Sequence, residues 1–237
     1  RYQPDLFLSL ESDAWWEDKL KPLEQEYPYT VKIPLDNLYV MHLYSRLELS
    51  DTEIRYWVKE DIPSIVSDVV LRSGEKIKIY CLHPEPPAPG ESDVSTPRDA
   101  ELLLAGKEID RSDETVIVLG DLNDVAWSHT THLFQKISGL LDPRIGRGLF
   151  STFHAHHWFL RWPLDHMFVS NDFLVKKLLR LGDVGSDHFP VYAKFQYHPK
   201  AEAFQPELQA DAEDHRDANE TIAEAEPIKE VVDTKYD

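Results

Sequence analysis

Nine consecutive residues, Val116-Ile-Val-Leu-Gly-Asp-Leu-Asn-Asp124, constrain this chain more than any other segment. Four apolar, largely β-branched residues in a row form the pattern of a strand covered on both faces. Gly120 then lets the backbone turn sharply or approach another group closely, and Asp121, Asn123 and Asp124 follow at the strand end. Hard oxygen donors of this kind suit Mg2+, Mn2+ or Ca2+ better than a soft metal. A Gly-Asp pair after a strand is also a common turn, so its meaning depends on what the rest of the chain brings to the same edge.

The 237 residues can bury one substantial core. Leu6 to Leu10 reads as a short buried strand, and Ala14 to Tyr27 as a helix with Trp15, Leu20 and Leu23 near one face. Strands are expected at Tyr29 to Ile33 and Leu38 to Tyr44. Ile65 to Leu71 and Lys76 to Leu82 make a hairpin around Ser73-Gly74, with Ile77, Ile79 and Cys81 on one face. That hairpin delivers His83 to a sheet end, and the proline-rich run from Pro84 to Gly90 must leave it as a rigid loop. Thr96-Pro97 opens a helix reaching about Ile109. A further helix is expected over Ser128 to Ile137, and strands over Leu164 to Ser170 and His188 to Tyr197. The irregular interleaving, with at least one hairpin, disfavours a purely parallel doubly wound sheet.

Charge limits the partners. The formal net charge is −18. Residues 199–237 hold 12 acidic and 4 basic side chains, leaving 31 acidic and 21 basic in residues 1–198. An acidic body has the wrong sign for coating a nucleic acid backbone, although Arg144, Arg147 and Arg161 are candidates for a local basic mouth. The nearly aromatic-free stretch from Pro199 onward is expected to be an acidic, disordered or loosely helical tail. The single Cys81 cannot form an internal disulfide. No run of about 18 apolar residues and no basic-then-apolar leader is present. The chain opens without methionine and runs almost at once into a strand, which suggests an origin in something longer.

Five polar sites terminate apolar segments: Glu11, His83, Asp121-x-Asn123, Asp165-His166 and Gly185-Ser-Asp-His188. Carboxylates, an amide and imidazoles gathered at one sheet edge describe a divalent-metal phosphoesterase, in which metal neutralises phosphoryl oxygens and an imidazole handles a proton. Their order, with Gly120-Asp-Leu-Asn123 before Ser186-Asp-His-Phe-Pro190, resembles the endonuclease/exonuclease/phosphatase superfamily, whose fold is like that of deoxyribonuclease I. The resemblance covers residues 1 to about 197.

The resemblance implies an α+β fold: a four-layer α/β/β/α sandwich of two mainly antiparallel sheets flanked by helices. Residues 1–198 would be the catalytic domain, and 199–237 the tail. Carried over by position, Glu11 is expected to be the principal metal ligand for Mg2+ or Mn2+, with Asp187 adding charge to the metal region. Asp121 would orient or activate water, and Asn123 would donate to a phosphoryl oxygen. His188 would act as general base or transition-state donor, with Asp165 orienting its ring and favouring imidazolium. His83 would stabilise phosphoryl oxygens or assist the leaving group.

Asp124, Trp127 and Arg161 complete the expected set as substrate-binding residues, with packing of the loop as the alternative role for Asp124 and Trp127. His166 is read as structural, because alternation turns it away from Asp165. His154-Ala-His-His-Trp158 lacks an obvious fourth zinc ligand and reads as a substrate-facing loop. The aromatics around Arg161 admit either a lipid-surface role or simple packing.

Family members normally carry an Asn-bearing strand about 20 or more residues before the Glu, whereas this chain begins 10 residues before Glu11. A closer likeness, through Trp15-Trp16, His83-Pro-Glu-Pro-Pro87, Asp121 to Ser128 and Leu141 to Gly148, is to a bacterial subgroup often anchored by transmembrane helices. It implies an upstream anchor, a cell-envelope location and a lipid-linked or envelope phosphoester. A Mg2+-dependent nuclease and an inactive module that keeps the fold are the alternatives.

Overall fold

The computed structural model describes residues 2–35, 37–88 and 92–226. Its strands are β1 (Leu6–Leu10), β2 (Tyr29–Ile33), β3 (Met41–Ser45), β4 (Leu49–Arg55), β5 (Ser64–Val70), β6 (Lys76–Cys81), β7 (Val116–Asp121), β8 (Asp165–Val169), β9 (Phe173–Arg180) and β10 (Val191–Tyr197). Its helices are α1 (Ala14–Leu20), α2 (Thr96–Asp110), α3 (His129–Ser138) and α4 (Ala212–Glu224).

The five-stranded sheet runs β4-β5-β6-β7-β8. The β5/β6 hairpin pairs Ile65 with Cys81 and Val70 with Lys76, keeping Ile77, Ile79 and Cys81 on one face as their alternation requires. α2 carries the chain back across the sheet, so β7 joins β6 in parallel. β8 then returns antiparallel, with Asp165 directly opposite Asp121. This register brings two of the expected site carboxylates together.

Each face of that sheet has its own core. On one side Val66, Tyr80, Val118 and Phe168 pack with Leu102, Ala105 and Ile109 of α2 and Phe134 of α3. On the other, Ile65, Val69, Ile77, Ile79 and Cys81 meet Ile33, Met41 and Leu43 of a three-stranded sheet ordered β1-β3-β2. Phe173 and the partly buried Phe195 and Tyr197 of the β10-β9 pair join the same core. The fold is therefore the expected α/β/β/α sandwich, with its second β layer made of two separate hydrogen-bonded ladders. Rings of Tyr2 and Tyr192 meet between those ladders, 4.9 Å apart.

Several boundaries differ from the sequence reading for local reasons. The first helix stops at Leu20 and continues as a 3-10 turn over Lys21–Gln25, because Pro22 lacks the amide needed to extend it. α1 buries none of its residues, so Trp15 faces solvent. β4 and β9 lack a legible period-two pattern: Leu49-Ser-Asp-Thr-Glu-Ile-Arg55 has two apolar residues, and Phe173 to Arg180 has paired ones. Both lie at sheet edges, where only part of the strand needs burying. Pro89 and Gly90 of the proline-rich loop, and Asp36 of the turn before β3, lie outside the described residues.

The acidic C-terminal stretch forms a helix that packs on the body. Asp211 caps α4 with a reciprocal capping box, and Ala218 is fully buried against Leu103, Leu133 and Ile137 of α2 and α3. Lys136 pairs with Asp214 at 2.8 Å, and His129 with Asp217 at 2.6 Å. A sparse apolar stripe suffices because α2 and α3 supply the rest of the apolar surface. Residues 227–237 lie outside the described part. Ala218→Glu places an unpaired carboxylate in this contact and is expected to lower the thermal midpoint by roughly 5 °C or more; calorimetry showing an unchanged midpoint would reject the packed helix.

Candidate active site

Gly120 makes the site possible. Its φ is +152°, and a Cβ there would lie 1.8 Å from the Leu82 carbonyl oxygen. No side chain fits, so the chain leaving β6 crosses hard against β7 and sets His83 beside the end of that strand. Glu11 follows β1 with φ +54°, its amide donating to the Val40 carbonyl at 2.9 Å. The Glu11 Oε1 to His83 Nε2 separation is 3.6 Å.

Asp121 and Asp165 face one another across β7 and β8, and like charges directly opposed repel. His188 lies between them. Its Nδ1 donates to Asp165 Oδ2 at 2.8 Å, while its Nε2 lies 3.5 Å from Asp121 Oδ2. Burial works against a charged ring, but the Asp165 hydrogen bond and the charges of Asp165, Asp121 and Asp187 raise its pKa to about 9. The ring is an imidazolium at neutral pH. Burial first, and Asp165 second, push Asp121 upward. His83 is the counterpart: burial drives it down to about 4, so it is a neutral imidazole.

Among the described residues, Asp121, Asp165 and His188 are the one His/Cys/Asp/Glu group whose ligand atoms lie within 4.8 Å of one another. The charge of Glu11 is felt at Asp121. Carboxylate oxygens concentrated around one imidazolium fit a hard divalent cation, whose charge would relieve the Asp121–Asp165 repulsion. The donor set does not by itself select the ion.

Not every expected residue opens on this centre. Asn123 adopts φ +50°, which asparagine tolerates. Its backbone amide donates to Asp121 Oδ1 at 2.8 Å, and its side-chain amide to the Pro84 carbonyl at 2.9 Å. Asp124 faces inward: Oδ1 accepts from Val125 N, and Oδ2 accepts from Ser128 and Thr131. That carboxylate clasps the start of α3. Asp187 is exposed and lies outside the Asp121 group, its carbonyl accepting from Ala155 N at 2.6 Å. Trp127 is exposed with its ring 6.1 Å from that of Trp162, and the Arg161 guanidinium lies 5.2 Å from the Phe189 ring. Among the described residues, the three imidazoles of 154–157 form no candidate metal group.

The structure adds a clamp that the sequence reading missed. Arg98 Nη1 donates to the Asn123 carbonyl at 2.7 Å, held in place by Asp99. From the other side His166 Nε2 donates to the Asp124 carbonyl at 2.8 Å, and Arg144 Nη2 donates to His166 Nδ1 at 2.7 Å. His166 thus sits on the face of β8 away from Asp165. Arg144 is buried and paired with Asp142 at 2.8 Å, so it belongs to this clamp and not to a basic mouth. One signal pointed to Arg98: an arginine in the first turn of a helix opposes the helix dipole and calls for a local anion. Phe153, one of the aromatics singled out around Arg161, has its ring 5.0 Å from that of His188.

A family model, described as the Endonuclease/Exonuclease/phosphatase family, matches residues 1–188. The chain belongs to that family. No curated protein matches it in sequence. Its fold is similar to that of Danio rerio TDP2 complexed with single-strand DNA product, at 17% identity and TM-score 0.67, covering 82% of this chain and 87% of that one. The human Nocturnin catalytic domain with bound sulfate is similar at 17% identity and TM-score 0.65, over 83% and 82%. Mannosyl-6-phosphatase Bt3783 of Bacteroides thetaiotaomicron is similar at 20% identity and TM-score 0.56, over 81% and 85%. Endonuclease/exonuclease/phosphatase enzymes hydrolyse phosphoester bonds and usually use divalent metals, and a hydrolase is the general role this fold supports.

His188 supplies a direct test. Its pKa lies above the ordinary 6.5, so the stability from its pairing is complete below 6.5 and lost as pH rises through about 9. In chelator-treated protein, Asp165→Asn is expected to move the NMR titration of the His188 ring down toward 6.5. A midpoint that stays near 9 would show that Asp165 does not hold the proton there.

Proposed function

We propose that this chain is a divalent-metal-dependent hydrolase of phosphate esters, acting through in-line attack of water without a covalent intermediate. The observation that carries this reading is the His188 imidazolium held between Asp121 and Asp165, with Glu11 and His83 close by. Mg2+ or Mn2+, held at Glu11 with Asp187 adding charge, would neutralise phosphoryl oxygens.

The residues do the rest. Asp121, raised toward neutrality by burial and by Asp165, is suited to orient a water molecule and draw its proton. His188 donates from Nε2 to an oxygen that gains charge as the phosphoryl group transfers. Asp165 fixes the ring and its proton. His83, neutral and almost fully buried, hydrogen-bonds a phosphoryl oxygen or the leaving group without adding charge. Arg98 and His166 hold the 121–124 turn in register with these groups. Residues 1–198 form the catalytic unit in this proposal, with α4 as a brace behind α2 and α3.

Within the class, we favour a phosphoester carried on an amphiphile at the cell envelope, with Trp127 and Arg161 at the substrate mouth. No described helix is long and apolar enough to cross a membrane. A nuclease is the second reading, favoured by the likeness to a fold crystallised with a single-strand DNA product and opposed by the net charge of −18. Hydrolysis of bis(p-nitrophenyl) phosphate, p-nitrophenyl phosphate and single-strand DNA, with Mg2+, Mn2+ or chelator, separates these cases. Asp121→Asn and His188→Ala are each expected to lower metal-dependent turnover by about 100-fold to 10,000-fold while circular dichroism is unchanged. Near-normal rates in both variants would sink the mechanism.

A further inference from the structure

The 21 residues from Pro143 to Pro163 contain no aspartate or glutamate, in a chain with 43 acidic side chains, and of their three arginines Arg147 and Arg161 are exposed while Arg144 is buried against Asp142. The same stretch carries much of the exposed apolar surface. Ile145 and Leu149 are exposed in its first loop, and Trp158 and Phe159, 79% and 65% exposed, lie at the turn of a hairpin. That hairpin is closed by backbone hydrogen bonds between Phe153 and Trp162 and from His154 N to the Leu160 carbonyl at 2.7 Å.

The two parts form a continuous surface. The Trp127 ring meets that of Trp162 and, with Ile145, Arg147 and Leu149, lines an open cleft of about 400 Å³. At the base of the hairpin Phe153 lies against His188. The patch therefore borders the catalytic centre. Exposed apolar side chains clustered in this way mark a docking face, and the occupant must match both them and the exposed Arg147 and Arg161.

We propose that the 145–149 loop and the 154–162 hairpin seat the protein on an anionic lipid bilayer, with the catalytic cleft facing the headgroups. Tryptophan and phenylalanine at a loop tip, aliphatic neighbours beside them and arginines around them form the pattern of an interfacial anchor. Local charge complements an anionic surface, and the acidic body beyond a Debye length of about 8 Å is screened from it. Nucleic acid fits less well, because bases stack on aromatic rings and gain little from Ile145 and Leu149. The orientation of the cleft rests on the phosphoesterase reading; docking itself does not.

The test is cosedimentation with phosphatidylcholine vesicles made with or without phosphatidylglycerol, in the presence of chelator. The protein is expected to sediment with the anionic vesicles only. Trp158→Ser/Phe159→Ser is expected to weaken that binding more than tenfold, and Arg147→Glu to weaken it severalfold, while neither changes hydrolysis of soluble p-nitrophenyl esters or the thermal midpoint. Asp121→Asn is expected to bind vesicles normally, so loss of chemistry and loss of docking are read separately. Absence of anionic vesicle binding, or binding unchanged by Trp158→Ser/Phe159→Ser, overturns the proposal. So does a single-strand DNA complex or a dimer that those substitutions abolish in a protein that ignores vesicles.

Discussion

Asp121 and Asp165 are brought face to face by the β7/β8 register, and everything around them answers that repulsion. With Asp121 buried and Asp165 half-buried, such a carboxylate pair is unfavourable unless a cation joins it. His188 provides one positive charge through two contacts, and the position of β10 in the second β layer delivers it. The same negative density makes the centre attractive to a divalent cation. In the proposed mechanism that residual repulsion has a use, because a site that neutralised itself fully would hold a metal less well.

The central geometry was legible because strands end where their apolar runs end. Val116 to Leu119 predicts a buried strand, Gly120 the sharp approach, and Asp121 the first polar group beyond. The β5/β6 hairpin likewise placed His83, and period two on β8 separated Asp165 from His166. What could not be read were contacts decided by distant partners. Asp124 looks like a ligand in sequence, yet its carboxylate is claimed by Ser128 and Thr131 at the start of the next helix. Arg144 looks like surface charge, yet Asp142 and His166 take it into the interior. β4 and β9 escaped because an edge strand has no need of a regular apolar face.

The packing of the acidic C-terminal stretch was hidden for a related reason. Composition averages over a segment, whereas a helix can be held by one buried alanine and a few ion pairs if its partner supplies the apolar surface. Exposed pairs contribute little each, typically below about 1 kcal/mol. Burial of Ala218 between α2 and α3 is thus the contact that fixes where α4 lies.

That placement has consequences at the site. α4 packs on α2, and α2 carries Arg98 in its first turn to the carbonyl of Asn123. β8 reaches the neighbouring carbonyl of Asp124 through His166. The left-handed turn that presents Asp121 is consequently held from a helix on one side and a strand on the other, and both anchors are buried. A turn with φ +50° at Asn123 would relax if either were removed. Helices behind the sheet thereby set the angle at which Asp121 meets His188, and a brace that appears in sequence as an acidic tail stands one helix away from the turn that carries Asp121.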